Sequence, residues 1–247
     1  VLGRFLELSV QTPDIRASLA FYEKLGFLQA EVGEAWRHAY AVVSDGRLCL
    51  GLHESEESRT MLTFVRPNVL ASLPELERLG VEFEFRHLGA DRFNEVGWTA
   101  PCGHLIRLVE ARTFSPPTAR HSEGSSCGYF LEIGLPAGDL TAAKSYWERF
   151  GFVGMDEAEA PLPHVCCTSD TIDVGLYDRH VLRAPTLLFE AESPAANAAR
   201  IALRGIEAGR RLPGGLASGT GAHYVAPEGT AILIMAQIMG QTAPQPV

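Results

Sequence analysis

Two glutamates, Glu7 and Glu132, occupy the same place in two look-alike stretches, Phe5-Leu-Glu-Leu-Ser-Val10 and Phe130-Leu-Glu-Ile-Gly-Leu135. Side chains alternate along a strand, so Phe5 is expected to share a face with Glu7, and Phe130 with Glu132. A carboxylate on a concave, partly apolar face can accept hydrogen bonds from a ligand, or act as a general base if burial raises its proton affinity. Imidazoles and phenols lie within reach in the sequence. His38 and His164 each open the second strand of their stretch and read as counterparts, and Tyr40 lies on the same face as His38. His53 matches Tyr177, each one inward step past a glycine. A histidine beside a carboxylate can exchange protons near neutral pH. Arg107 on an inward face calls for a carboxylate or an anionic ligand, and Glu7 or Glu132 is the expected partner. Ordinary packing and structural hydrogen bonds would also account for these residue types. Phe5, Glu7, His38, Tyr40, His53, Arg107, Phe130, Glu132, His164 and Tyr177 are therefore candidates for ligand binding, with no catalytic role assigned to any of them. No phosphate loop, dinucleotide glycine fingerprint or H-E-x-x-H occurs.

The elements that must position these residues come in duplicate. Phe5–Phe27 aligns without a gap on Phe130–Phe152, with eight identities in 23 positions. Two later anchors keep the order: Asp45–His53 with Asp170–Tyr177, and Ala100-Pro-Cys-Gly103 with Ala226-Pro-Glu-Gly229. Three ordered anchors at nearly constant spacing establish an internal duplication. Each half opens with a strand, turns into a helix capped by Asp14 or Asp139, and closes that helix at Gly26 or Gly151. A hairpin turning at Asp45-Gly46 follows, then a strand over 61–65, a helix over 69–79, a strand near 81–85 and a last hairpin at 101–103. This gives two βαβββ modules per half and four in the chain. The expected layout is a first domain over 1–112, a linker over 113–127, a second domain over 128–240 and a tail over 241–247. The stretch Pro213–Gly221 reads as a flexible loop that could act as a lid.

Composition narrows the partners. The formal charge is −9 over 247 residues, which argues against nucleic acid and against a basic membrane anchor, while a local basic pocket remains compatible. No run approaches the ~18 apolar residues of a membrane span. The cysteines are five, an odd number with no C-x-x-C pair, and fit reduced thiols in a cytoplasmic protein.

The segment Asp14-Ile-Arg-Ala-Ser-Leu-Ala-Phe-Tyr-Glu-Lys-Leu-Gly-Phe27 and its echo at Asp139–Phe152 resemble the signature helix of the vicinal oxygen chelate superfamily. That superfamily includes glyoxalase I, bleomycin-resistance proteins and extradiol dioxygenases. The resemblance implies an α+β fold in which tandem βαβββ modules curl into two cupped mixed sheets, a pseudo-dimer in one chain. It also implies that metal ligands, where present, come from the first strand and from the third or last strand of a module. Carried over, those positions fall near Phe5, Gly51, Thr60 and Arg107, and near Phe130, Gly175, Pro185 and Leu233. A divalent ion needs several converging carboxylates or imidazoles, and these residues supply none. A two-residue slip on the first strand would bring in Glu7 and Glu132. The expectation is a protein without metal or other cofactor that binds an apolar or aromatic small molecule in a cup, as a monomer or homodimer. The alternative is a lyase, isomerase or dioxygenase of the same superfamily, using an unrecognised metal site or a Glu–His acid–base pair. The second cup, with Ala231, Leu233 and Met235 inward, looks more apolar and is a candidate for being filled.

Overall fold

The computed structural model describes residues 2–31, 38–90, 93–111, 124–209, 211–217 and 219–237. Most of the linker and the whole of the tail lie outside them. The first half runs β1 (Arg4–Thr12), α1 (Ile15–Lys24), β2 (Leu28–Ala30), β3 (Tyr40–Ser44) and β4 (Cys49–Glu54). It continues with β5 (Thr60–Arg66), a 3-10 turn at Leu70–Ser72, α2 (Leu73–Arg78), β6 (Phe85–His87), β7 (Glu95–Thr99) and β8 (Leu105–Glu110). The second half runs β9 (Tyr129–Ala137), α3 (Leu140–Arg149), β10 (Val153–Ala158), β11 (His164–Thr168) and β12 (Val174–Asp178). It ends with β13 (Thr186–Ala191), α4 (Pro194–Ala202), a 3-10 turn at Pro213–Gly215, β14 (Gly221–Val225) and β15 (Ala231–Ala236). The first three modules are βαβββ. The last shows βαββ among the described residues.

Two mixed sheets result, ordered β2-β3-β4-β1-β5-β8-β7-β6 and β10-β11-β12-β9-β13-β15-β14. The first strands of the two modules in each half, β1 with β5 and β9 with β13, lie antiparallel at the sheet centre, so each sheet joins its modules back to back. The helix caps follow the sequence. Asp14 and Asp139 each accept the backbone N–H of the residue three positions on, at 2.9 Å.

One apolar core serves both halves. It contains Leu8, Tyr22, Phe27, Leu50, Phe64, Trp98 and Leu108 from the first half, and Ile133, Trp147, Phe150, Phe189 and Ile232 from the second. The docking is reciprocal: each half's first helix packs on the other half's last hairpin. Ser18 and Tyr22 on α1 donate to the buried Glu228 carboxylate in the β14–β15 turn, at 2.7 and 2.6 Å. On the other side, Trp98 of β7 donates its indole N–H to Tyr146 of α3 at 2.8 Å and stacks on Phe150. All five cysteines are free thiols. No helix among the described residues is long and apolar enough to cross a membrane.

Candidate functional site

The concave faces of the two sheets form the cups, and the central strands set what lines them. On β1 the alternation breaks. Phe5 pairs with Phe64 and Glu7 with Thr63, so Leu6 is an extra residue, a β-bulge that reverses the faces on either side of it. Glu7 points into the cup while Phe5 packs in the common core, edge-on to Phe64 at 5.5 Å. The same bulge recurs at Leu131. Phe130 packs against Phe189 in the core, and Glu132 faces the cup beside Leu188. Phe5 and Phe130 are therefore not cup-lining residues, because strict alternation does not survive an inserted residue.

In the first cup, Glu7 is 1 % exposed and accepts three hydrogen bonds. Ser9 donates to Oε1 at 2.7 Å, His53 Nε2 lies 3.0 Å from the same oxygen, and Tyr40 donates its phenol to Oε2 at 2.6 Å. Ser9 in turn shares a hydrogen bond with Thr63 at 2.7 Å. Gly51 makes room for this carboxylate, since a Cβ there would stand 2.1 Å from Glu7 Oε1. Burial by itself raises a carboxyl group's proton affinity. Here the hydrogen bond and charge of His53, with the Ser9 and Tyr40 donors, outweigh it and hold Glu7 below the ordinary range.

The chain of contacts continues outward. His53 Nδ1 lies 2.8 Å from Nε2 of His38, which is exposed. Burial of part of its ring, with the charges of His53 and Arg107, lowers the His38 proton affinity. Because a carboxylate only accepts, His53 Nε2 carries the proton that it gives to Glu7. His53 Nδ1 can then either accept from His38 or donate to it, and these two states differ by one proton. Two imidazoles thus link the surface to a fully buried carboxylate.

Arg107 lies in the same cup but departs from the expected pairing. Its Nε donates to Glu95 Oε2 at 2.8 Å, Nη2 donates to the same oxygen, and His87 Nδ1 reaches the other oxygen at 2.8 Å. The reason is positional. Arg107 is in register with Gly97, two residues from Glu95 on the adjacent β7, whereas Thr63 on β5 stands between it and Glu7. Inward alternation of Glu95, Gly97 and Thr99 along β7 is the sequence signal that could have identified this partner.

The second cup repeats the plan with different contents. Glu132 is again buried, and Gly175 makes the matching space, a Cβ there falling 2.0 Å from Glu132 Oε1. Tyr177 donates to Glu132 at 2.6 Å. The register also corrects the pairing of histidines, since Tyr40 faces His53 across β3–β4 and His164 faces Tyr177 across β11–β12. The counterpart of His164 is therefore Tyr40 and not His38, and the phenol and imidazole are transposed between the halves. The transposition decides the electrostatics. In the first cup the imidazole stands on the strand next to the glutamate and reaches it. In the second, His164 stands one strand further out, stacks on Tyr177 at 5.0 Å and donates Nδ1–H to the Leu162 carbonyl. Burial then dominates and raises the Glu132 proton affinity, against smaller effects of His164, Tyr177 and Cys166.

Around Glu132 the second cup is packed with its own side chains. Leu162, Tyr177, Leu182, Leu188, Leu233 and Met235 form a separate buried cluster, with Leu131, Val181, Leu212 and Leu216 against it. Gly134 gives space to Leu188 and Leu182. Leu212 and Leu216 flank the Pro213–Gly215 turn, so this stretch closes the second cup from outside.

The metal positions implied by the family resemblance can be tested on these rows. Strands β1, β5 and β8 lie side by side and place Glu7, Thr63 and Arg107 in register. The corresponding row in the second cup is Glu132, Leu188 and Leu233. One carboxylate with a hydroxyl and a guanidinium, or with two leucines, does not fit a divalent cation. Among the described residues no group of three or more His, Cys, Asp or Glu is arranged to hold one.

No protein-family model matches the sequence, and no curated protein matches it. Solved structures do, among them extradiol dioxygenases of the vicinal oxygen chelate superfamily. Homoprotocatechuate 2,3-dioxygenase from Arthrobacter globiformis superposes with a TM-score of 0.62 at 17% identity, over 95% of this chain and 80% of that one. The 2,3-dioxygenase LapB from a Pseudomonas species gives 0.60 at 15% identity, over 95% and 92%. Homoprotocatechuate 2,3-dioxygenase from Brevibacterium fuscum gives 0.62 at 15% identity, over 95% and 71%. At these identities the likeness is one of fold.

Proposed function

We propose that this chain is an enzyme of the extradiol-dioxygenase fold whose first cup performs acid–base chemistry on a small organic molecule. The observation that carries the reading is the continuous His38–His53–Glu7 chain from exposed rim to buried floor. A proton captured at His38 is shared with His53, and the imidazolium that forms is stabilised by a Glu7 carboxylate held ionised by its three donors. Tyr40, tilted against His53 at 4.6 Å between ring centres, fixes the imidazole plane. Abstraction of a proton next to a carbonyl or an enol, as in an isomerase or lyase, is the reaction class these groups serve. The fold neighbours support an enzyme, and the donor chemistry of the Glu7–Thr63–Arg107 row favours proton transfer over a metal-centred reaction. A reducing, cytoplasmic setting is part of the proposal, on the strength of five unpaired thiols.

The second reading is a binding protein that holds an apolar or aromatic compound unreacted in the same cup. The Tyr40–His53 wall favours it. One experiment separates the two. A panel of 2-oxo acids, dicarbonyl compounds and catechols is incubated in D2O with the protein, and deuterium incorporation is followed by NMR. Exchange that disappears in His53→Gln and Glu7→Gln supports the enzyme. Thermal stabilisation by a panel member without exchange supports the binding protein. Exchange that survives both substitutions sinks the proposed chemistry.

A further inference from the structure

At the seam between the halves lies a cleft of about 700 Å³, away from the Glu7 network. It is walled by Arg59 and Thr60 at the start of β5, by His104 after the β7–β8 turn, and by Arg179, His180 and Arg183 from the β12–β13 connection. No aspartate or glutamate lines it, in a chain with 30 acidic residues against 21 basic ones. Glu56 and Glu57 share the Arg59 loop but are not among the lining residues. Five basic side chains converge with no acid among them, which runs against the whole-chain bias.

Two details separate this from a solvated patch of surface charge. The guanidinium groups of Arg59, Arg179 and Arg183 make no ion pair or hydrogen bond among the described residues. Elsewhere in the molecule arginines do find acids, as Arg66 with Glu75, Arg86 with Glu77 and Arg107 with Glu95. The inner wall is also fixed: His104 is 8 % exposed and donates Nε2–H to the Pro136 carbonyl at 2.9 Å, tying the first half to the second. That bond sets its tautomer, and burial, with the charge of Arg179, lowers its proton affinity. The cations therefore come from both halves onto one concave wall whose shape depends on the halves being docked.

We propose that this seam is a second binding site, for a small polyanion whose phosphate or carboxylate oxygens engage the guanidinium forks of Arg59, Arg179 and Arg183. The volume suits a metabolite-sized molecule. The positive wall in a net-negative protein concentrates such anions locally. The site is independent of the acid–base reading of the first cup.

The test is isothermal titration of the full chain with pyrophosphate and, separately, with citrate, in dilute buffer, against potassium chloride at matched ionic strength. Wild type is compared with Arg179→Ser/Arg183→Ser, whose exposed positions leave the core untouched, and with Glu7→Gln. The expected result is saturable binding of at least one anion, weakened about tenfold for each arginine removed and unchanged in Glu7→Gln. Preference for pyrophosphate over citrate assigns a phosphate ligand, and the reverse a polycarboxylate. Absence of binding, a response reproduced by chloride, or equal binding to the double variant overturns the proposal. Circular dichroism of the double variant must match wild type, and Arg183→Lys, which keeps the charge but not the fork, is expected to lose part of the affinity.

Discussion

The two cups share a carboxylate, a glycine that makes space for it and a phenol that donates to it, yet they have opposite interiors. The first surrounds Glu7 with Ser9, Tyr40 and His53 and continues to His38, Thr63, Arg107 and Glu95. The second surrounds Glu132 with leucines. The smallest difference that separates them is the exchange of tyrosine and histidine across one pair of strands. With the imidazole inside, the carboxylate is charged and a polar network can grow. With the imidazole outside, burial raises the carboxyl group's proton affinity and apolar packing can close over it. Duplication has thus left one cup lined by a polar, charged network and one packed as core.

The comparison can be broken most easily at Leu233. It is fully buried in the second cup, and Leu233→Ala is expected to cost about 3 kcal/mol in urea unfolding, from lost burial and the cavity left behind. A loss under about 1 kcal/mol would show that the second cup is not packed. Next in size is the pair of isosteric changes. Glu7→Gln removes a charged acceptor from three donors and should destabilise by roughly 2 kcal/mol, whereas Glu132→Gln replaces a carboxylate whose charge burial disfavours and should cost less than about 1 kcal/mol. Equal effects would erase the distinction between the cups.

The smallest effect is also the sharpest in sign. Glu7 is held below its ordinary value, so its stabilisation is present above about pH 4.3 and is lost as pH falls through the lower folded value. Glu132 is raised, so its contribution is present below about pH 4.3 and is lost as pH rises through the higher folded value. Stability measured from pH 3 to 7 should therefore lose part of its acid sensitivity in Glu7→Gln and part of its alkaline-side decline in Glu132→Gln. Matching slopes in the two variants would contradict the assignment.

Much of this was legible in the residues. The repeat, the capped helices, the hairpin at Asp45-Gly46 and the two cupped mixed sheets follow from local patterns that the fold respects. Glu7, Tyr40 and His53 converge because each sits on an inward position of a neighbouring strand. The failures have a common physical origin in cross-strand register. A bulge at Leu6 and Leu131 turned Phe5 and Phe130 into the core, and no pattern within one strand announces a bulge in its pairing. His164 was matched to His38 because both open a strand, whereas the partner across the ladder defines equivalence. Arg107 found Glu95 because the adjacent strand brings that carboxylate nearer than any glutamate on β1. Leu162, Leu182, Leu212 and Leu216, which cover the second cup, come from loops, where periodicity carries no signal.

The reciprocal docking of helix on hairpin carries a consequence for how the molecule comes apart. Glu228 satisfies Ser18 and Tyr22, and Tyr146 satisfies Trp98, so neither half can detach without stranding polar groups that belong to the other. Amide exchange in β1 and β9 should then slow to a shared global limit, and the chain should melt in a single transition and not in two. A fragment ending after β8 would keep α1 but lose its carboxylate anchor. Supplied with the missing fragment in trans, it should recover its fold as a two-piece complex.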